Sequence, residues 1–467
     1  MTANGTIFSY IVDDDPAFLY AGWHLARSLI EHCGGAPSTI VVQCTPEVPE
    51  HWRVIFRDLG CRVRQIARFG DGRYCNKLNQ LDNLQSFDFG RAVLLDTDAI
   101  AVSDLRSFLS DTSICGKIVD AANPPLATLE KIAILSNMLR LPAIVETDIG
   151  IGKTYFGNCN GGFFSVPRAY AQKLSAGWRH WALWLLDNIE PLQRSGHAIH
   201  ADQVSFWLAI QHLGLPFELA PSNVNYFTHM EGEHRYFDSN RPLALLHYHM
   251  PQLDVLGQIV ALPDANPMGR DAVARANAQI GKGFDNRVFW EQRYRHFPER
   301  GSGVGSRGEN MAYKRNLLIE QGVEAATSVL DIGCGDLEVV KALNISNYLG
   351  VDQSATAIAI ARRVRPDWQF HEGAAIEAPA ADMVLCFEVL IHQEKREAYD
   401  TLVKTLAGKT RRTLLVSGYA ADHDSIRSNP MIFFHEPLAA TLEQTGRFRS
   451  VREIGRHSDV VVYRCDV

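Results

Sequence analysis

A strand, helix, strand rhythm runs twice along this sequence and breaks off between the two runs, and that interruption limits the possible folds more than any other feature. The first run opens with the apolar segment TIFSYIV and the helical pattern AFLYAGWHLARSLIEHC, whose apolar residues recur at three-to-four spacing. STIVVQC, CRVRQI and RAVLLDTDAIAV follow as further strands. Between Ala261 and Gly308 the periodicity weakens, and ALPDANPMGR and PERGSGVGSRGEN supply the Pro, Gly and charge of a boundary. From Thr327 the rhythm restarts in SVLDIGCGD, NYLGVDQ, ADMVLCFEVL and RRTLLVSGY. The chain therefore reads as α/β, with one domain over residues 1–262, a linker over 263–284 and a second domain over 285–467. Its 467 residues exceed the size at which a single core stops growing.

The formal charge of −7 lacks the basic excess that follows a phosphate backbone, so no nucleic-acid partner is expected. No segment approaches the roughly 18 to 20 apolar residues of a membrane span. The opening residues show no basic stretch followed by an apolar one, which places the protein in the cytoplasm and leaves room for peripheral membrane association. The nine cysteines form no CxxC pair and read as buried thiols rather than as a disulfide framework or a zinc site.

Two segments concentrate chemistry. In LLDTDAI, Asp96 and Asp98 lie two apart where an apolar strand ends, so both carboxylates leave one face and can hold one divalent cation. Such a cation neutralises the diphosphate released from a nucleotide-sugar. A solvated strand end is the plainer reading of the pair alone. Around it, NKLNQL, LLDTDAIAVSDL, NCNGGFFSVPR, HADQVSFW and LLHYHM stand in an order that resembles glycosyltransferase family 8, the glycogenin and lipopolysaccharide galactosyltransferase group, from about Thr6 to Gln252.

That resemblance implies a GT-A fold and transfer with retention from a nucleotide-sugar, UDP-sugar in particular, to a saccharide or glycolipid acceptor. It makes Asp96, Asp98 and His247 the ligands of Mn²⁺ or Mg²⁺, with His249 as the alternative to His247. Asp13, Lys77, Asn160, Gly161 and Gly162 become donor-binding residues, and Gln203 or Asp202 stabilises the oxocarbenium-like centre. Two departures stand out: Val204 replaces an acid that often follows Asp-Gln, and HMPQLDVLG lacks the Lys-Pro-Trp expected after the histidine.

In SVLDIGCGDLEVV a strand runs into Asp331, Gly333 and Gly335 before a helix, and the next strand, YLGVD, ends in Asp352. Glycines at such a turn let a ligand approach the backbone, and an acid about 20 residues on can bind ribose hydroxyls. Asp336 and Glu338 at the helix start oppose a dinucleotide's pyrophosphate and suit a cationic ligand. From about Phe284 onward, VLDIGCGD, GVDQS, GAAIEAPAADMVLCFEVLIH, WEQRY and GSGVGSRGEN together resemble the class I S-adenosylmethionine methyltransferases, which have a Rossmann-like fold. By that resemblance Asp331, Gly333, Gly335, Asp352, Ala374 and Arg307 bind S-adenosylmethionine, and Leu337 stands where many relatives carry a third glycine. His392, after the fourth strand, is placed to take a proton from a sugar hydroxyl. Glu388 and His435 are weaker candidates for binding a metal or the acceptor.

The combined expectation is a bifunctional transferase of polysaccharide or glycoconjugate biosynthesis. The alternative keeps the methyltransferase and makes the first domain a sugar- or nucleotide-binding module.

Overall fold

The computed structural model describes residues 5–70, 72, 75–249, 253–262 and 266–467. The chain divides into two compact units, Met1–Ile280 and Gly281–Val467.

In the first unit the strands are β1 (Thr6–Val12), β2 (Ile40–Cys44), β3 (Arg62–Gln65), β4 (Arg91–Leu95), β5 (Ala99–Ala101), β6 (Ile114–Ile118), β7 (Ile144–Glu146), β8 (Lys153–Tyr155), β9 (Cys159–Pro167), β10 (Phe217–Leu219), β11 (Tyr226–Phe227) and β12 (Leu245–His247). Seven of them form a sheet in the order β10-β6-β9-β4-β1-β2-β3. β9 alone runs antiparallel to its neighbours. The continuous apolar runs of β1, β2 and β4 are buried, as expected of central strands covered on both faces. Leu94 of β4 shares a core cluster with Leu78, Leu81, Phe164, Trp178 and Phe206. A smaller sheet, β11-β12-β5, pairs β12 antiparallel to β5 and so carries His247 opposite Ala99, one residue past Asp98. The chain winds outward from β1 through β2 to β3 and then returns to place β4 on the other side of β1. This reversal opens a crevice at the carboxyl ends of β1 and β4.

The stretch 263–284, which reads as a linker, contains the helix Pro267–Lys282. Its Ala272, Val273, Ala276 and Ile280 are buried with Leu246 and Tyr248 of the first unit, because small and branched residues at helical spacing give it an apolar stripe. Residues 263–265 lie outside the described residues.

The second unit holds β13 (Val329–Ile332), β14 (Tyr348–Asp352), β15 (Gln369–Glu372), β16 (Ala381–Cys386), β17 (Thr410–Tyr419), β18 (Ser450–His457) and β19 (Val460–Asp466). Their order is β15-β14-β13-β16-β17-β19-β18, with β19 antiparallel between its two neighbours. This is a Rossmann-like sheet whose order reverses between β13 and β16. All nine cysteines are free and buried. No helix among the described residues is long and apolar enough to cross a membrane.

Candidate active sites

In the first unit the end of β4 delivers Asp96 and Asp98, and β12 delivers His247, with ligating atoms of all three within 4.8 Å of one another. His247 Nδ1 donates to Asn225 Oδ1 at 2.9 Å, while Asn225 donates through its own amide to Asn160 Oδ1. That chain assigns a proton to Nδ1 and turns Nε2 toward the acid pair, 3.2 Å from Asp98 Oδ1, where it pairs with the carboxylate when protonated and is a ligand atom when not. Two carboxylates and an oriented imidazole nitrogen form a donor set that fits a divalent cation such as Mn²⁺ or Mg²⁺. His249 lies outside this set; its ring stacks parallel to His247 at 5.5 Å and meets His229 edge-on at 4.1 Å.

Burial pushes the Asp98 carboxyl up, but the charge and hydrogen bond of His247 outweigh it and hold the group at about 2. Lys77, itself buried, pairs with Asp96 and donates to the Gly161 carbonyl. Asp96 N–H donates to the Gly162 carbonyl at 3.3 Å, so β9 carries these glycines directly beside the acid pair. A Cβ on Gly162 would lie 2.7 Å from His247 Nδ1, and the ring could not keep its place.

The helix Ala201–Leu213 is apolar nearly all round and buried, which fixes its first turn. That turn brings Asp202 Oδ2 to 3.2 Å, and Gln203 Cγ to 3.6 Å, from where a Cβ of Gly161 would stand. Asp13, past the end of β1, accepts from Thr45 and pairs with Arg68 at 3.0 Å. Lys77, Asp96, Asp98, Gly161, Gly162, Asp202, Gln203 and His247 are thus brought together, with Asp13 at the end of the neighbouring strand. His229 and Asn225 carry no motif of their own and were not legible in the sequence. Of HMPQLDVLG, residues 250–252 lie outside the described residues.

In the second unit a cavity of about 460 Å³ opens at the carboxyl ends of β13, β14 and β16, lined among others by Trp290, Tyr294, Asp331, Gly333, Asp352, Ala374, Glu388 and His392. Gly333 has φ 78, and a Cβ there would collide with Val389, so the turn needs glycine on both counts. This cradle leaves the backbone open to a ligand. Asp352 accepts from Gly335 N–H at 3.0 Å and Ser354 N–H at 2.9 Å. Burial pushes its carboxyl up to about 6. Asp331 accepts from the Tyr348 hydroxyl at 2.6 Å and is pushed by burial up to about 7. Leu337, in place of a third glycine, keeps the left-handed backbone with φ 63.

His392 is half-buried at this cavity; its Nδ1 donates to the Met431 carbonyl at 2.8 Å, so Nε2 carries the lone pair. Burial lowers its pKa, which keeps the imidazole in the basic form. Trp290 meets the ring edge-on at 5.0 Å.

Residues 330–408 match the methyltransferase domain family. The C-terminal unit carries a methyltransferase domain. No curated protein matches the chain. Among solved structures, the chain is similar to magnesium protoporphyrin IX methyltransferase (ChlM) from Synechocystis PCC 6803 with bound SAM, at 15% identity over 39% of this chain and 98% of that one, with a TM-score of 0.31. It is also similar to the N-methyltransferase NodS from Bradyrhizobium japonicum WM9 in complex with S-adenosyl-L-homocysteine, at 17% identity over 34% of this chain and 85% of that one, with a TM-score of 0.28.

Within the methyltransferase domain Arg307 pairs with Asp336, which also accepts from Ser302 Oγ at 2.7 Å. His435 stands apart from the cavity lining and donates through Nε2 to the Gln393 carbonyl at 2.8 Å. Glu291 was not legible: from the helix Asn286–His296 it accepts from Ser354 Oγ at 2.7 Å and Thr356 Oγ1 at 2.6 Å, and so ties that helix to the one that follows Asp352. Only the WEQRY resemblance touches it.

Proposed function

We propose that the chain is a bifunctional enzyme: residues 1–262 transfer a sugar from a nucleotide-sugar, UDP-sugar in particular, with retention, and residues 285–467 methylate a saccharide hydroxyl with S-adenosylmethionine. The reading takes the first domain as a GT-A glycosyltransferase and places the protein in the cytoplasm, acting on a saccharide or glycolipid in polysaccharide or glycoconjugate biosynthesis. The observation that carries it is the Asp96, Asp98 and His247 set beside Gly161 and Gly162, in one chain with a methyltransferase domain.

In the first domain Asp96, Asp98 and His247 would hold Mn²⁺ or Mg²⁺, which would supply positive charge to the departing diphosphate. Lys77 fixes Asp96 and adds a second positive charge on that side. Asp13 and Asn160 bind the donor, Gly161 and Gly162 let its sugar approach β9, and Gln203 with Asp202 stabilises the charge that develops at the anomeric carbon.

In the second domain the Gly333 and Gly335 turn, Asp331 and Arg307 would hold the amino-acid end of S-adenosylmethionine, Asp352 its ribose and Ala374 its adenine. The cofactor when bound supplies an electrophilic methyl group. His392 Nε2 takes the proton that the acceptor hydroxyl gives up, and the bond from Nδ1 to the Met431 carbonyl keeps that tautomer in place.

The missing Lys-Pro-Trp after the histidines favours a second reading, in which the first domain binds a sugar or nucleotide without turning it over. Both are tested by incubating the protein with UDP-sugars, Mn²⁺, oligosaccharide acceptors and S-adenosylmethionine deuterated in its methyl group, followed by mass spectrometry. Bifunctional action yields acceptors heavier by a sugar and by a labelled methyl. Methyl transfer without sugar transfer selects the second reading, and neither product refutes both.

A further inference from the structure

Glu388 follows β16 by two residues and holds φ 59, a backbone conformation that side-chain-bearing residues rarely adopt. Its amide donates to Ser417 Oγ at 2.7 Å. One carboxylate oxygen, Oε1, lies 2.8 Å from Lys314 Nζ and 3.1 Å from His457 Nε2. Lys314 is fully buried in the helix Gly308–Glu320, and His457 is buried at the end of β18. The other oxygen, Oε2, faces Gly305, where a Cβ would collide with it. Glu388 lines the cavity together with His392 and Trp290.

An apolar pair in place of Glu388 and Lys314 would hold this region together at least as well, since burying two charges removes most of what their attraction provides. Retaining a buried lysine and a strained backbone therefore needs another reason. The arrangement fixes one carboxylate rotamer, with Oε2 beside Gly305, in a side chain that keeps 15% of its surface exposed and lines the cavity wall.

We propose that Glu388 recognises the methyl acceptor: its carboxylate, held in place through Oε1 by Lys314 and His457, accepts a hydrogen bond from a hydroxyl of an uncharged polyol whose neighbouring hydroxyl faces His392. The inference rests on the methyl-transfer reading of this site and names its substrate class. Lys314 already balances the charge of Glu388, so no unpaired anion remains to draw in an ammonium group. An anionic acceptor would face Glu388 beside Asp331 and Asp352. Hydroxyl donors remain, and the Trp290 ring offers an apolar face to a sugar ring, as aromatic side chains do.

The test uses the full chain, deuterated S-adenosylmethionine, and a panel of neutral, amino and uronic-acid oligosaccharides. The wild type is expected to methylate neutral members. Glu388→Gln is then expected to raise KM for the neutral acceptor about tenfold or more with kcat changed far less, and to leave S-adenosylhomocysteine affinity unchanged. Because Glu388→Gln strands a buried lysine, the charge-balanced Glu388→Gln/Lys314→Met variant is measured beside it, with thermal unfolding to show that it folds; it is expected to show the same KM rise. Unchanged KM in a folded variant, weakened S-adenosylhomocysteine binding, or wild-type preference for amino or acidic sugars overturns the inference. A wild type that binds no S-adenosylhomocysteine overturns instead the methyl-transfer reading beneath it.

Discussion

Two crevices in this chain have the same origin and opposite electrostatics. Each lies where a parallel sheet reverses its order, and each gathers two acids at strand ends. In the first unit the acids meet cations: Lys77 pairs with Asp96, and His247 holds Asp98 far down despite its burial. In the second, Asp331 and Asp352 are met by a tyrosine hydroxyl and backbone N–H groups, and burial carries both upward. Ionised oxygens suit a metal ion. Carboxyl groups held by hydroxyl and N–H donors, without a cation beside them, suit an organic ligand's hydroxyls. The partners of an acid, more than its place in the sheet, set what it can bind.

The contrast breaks most completely at Gly333. Gly333→Val forces a side chain into Val389 at positive φ and is expected to weaken S-adenosylhomocysteine binding at least about a hundredfold in calorimetry, while Mn²⁺-dependent UDP binding by the first unit is unchanged. His392→Gln sharpens it by separating binding from chemistry: turnover is expected to fall about a hundred- to ten-thousand-fold with S-adenosylhomocysteine affinity retained. If affinity falls in step with turnover, the imidazole holds the cofactor and is not the base.

The pairing habit of the first unit extends beyond its site. Asp148, fully buried, lies 2.9 Å from Lys117 Nζ and 2.5 Å from His234 Nδ1, and the hydrogen bond from His234 with the charge of Lys117 holds its carboxyl well below the usual range despite burial. Lys117→Met leaves that charge without its lysine partner and is expected to destabilise the first unit by about 3–5 kcal/mol in urea unfolding. A cost near zero would show that His234 alone suffices.

Asp331 is the counterpart without a cation. An unfolded carboxyl titrates near about 3.9, and the folded group near about 7. Between those values the native state binds a proton that the unfolded state has released. Its contribution to stability is therefore complete below about 3.9 and is lost as pH rises through about 7. Asp331→Asn, which keeps an acceptor for Tyr348, is expected to gain on the order of 1–3 kcal/mol relative to wild type between pH 5 and pH 8, read from unfolding curves of the second unit. A difference that does not depend on pH would contradict the proposed origin of the shift.

Both crevices were legible because their acids lie in short segments that also signal strand ends, LLDTDAI and VLDIGCGD. The groups that hold those acids were harder to read. Asn225 orients His247 from 22 positions away, and Tyr348 reaches Asp331 across 17, so no local pattern marks either. Lys77 was singled out in the sequence as a donor-binding charge, but its bond to the Gly161 carbonyl depends on β9 pairing with β4, a long-range antiparallel contact. The strained backbones at Leu337 and Glu388 break local residue preference and become visible only in the fold. The boundary was read from weakened periodicity, yet the small residues of Pro267–Lys282 still bury a stripe with the first unit.

The most direct test is calorimetric titration of the full chain with UDP, with and without Mn²⁺, on the wild type and Asp98→Ala, followed by S-adenosylhomocysteine on both. The account predicts UDP binding that requires Mn²⁺ and is lost in Asp98→Ala, with S-adenosylhomocysteine binding equally to the two proteins. UDP binding that ignores Mn²⁺ or survives Asp98→Ala, or no UDP binding at all, would contradict a metal-dependent nucleotide-sugar site in the first unit.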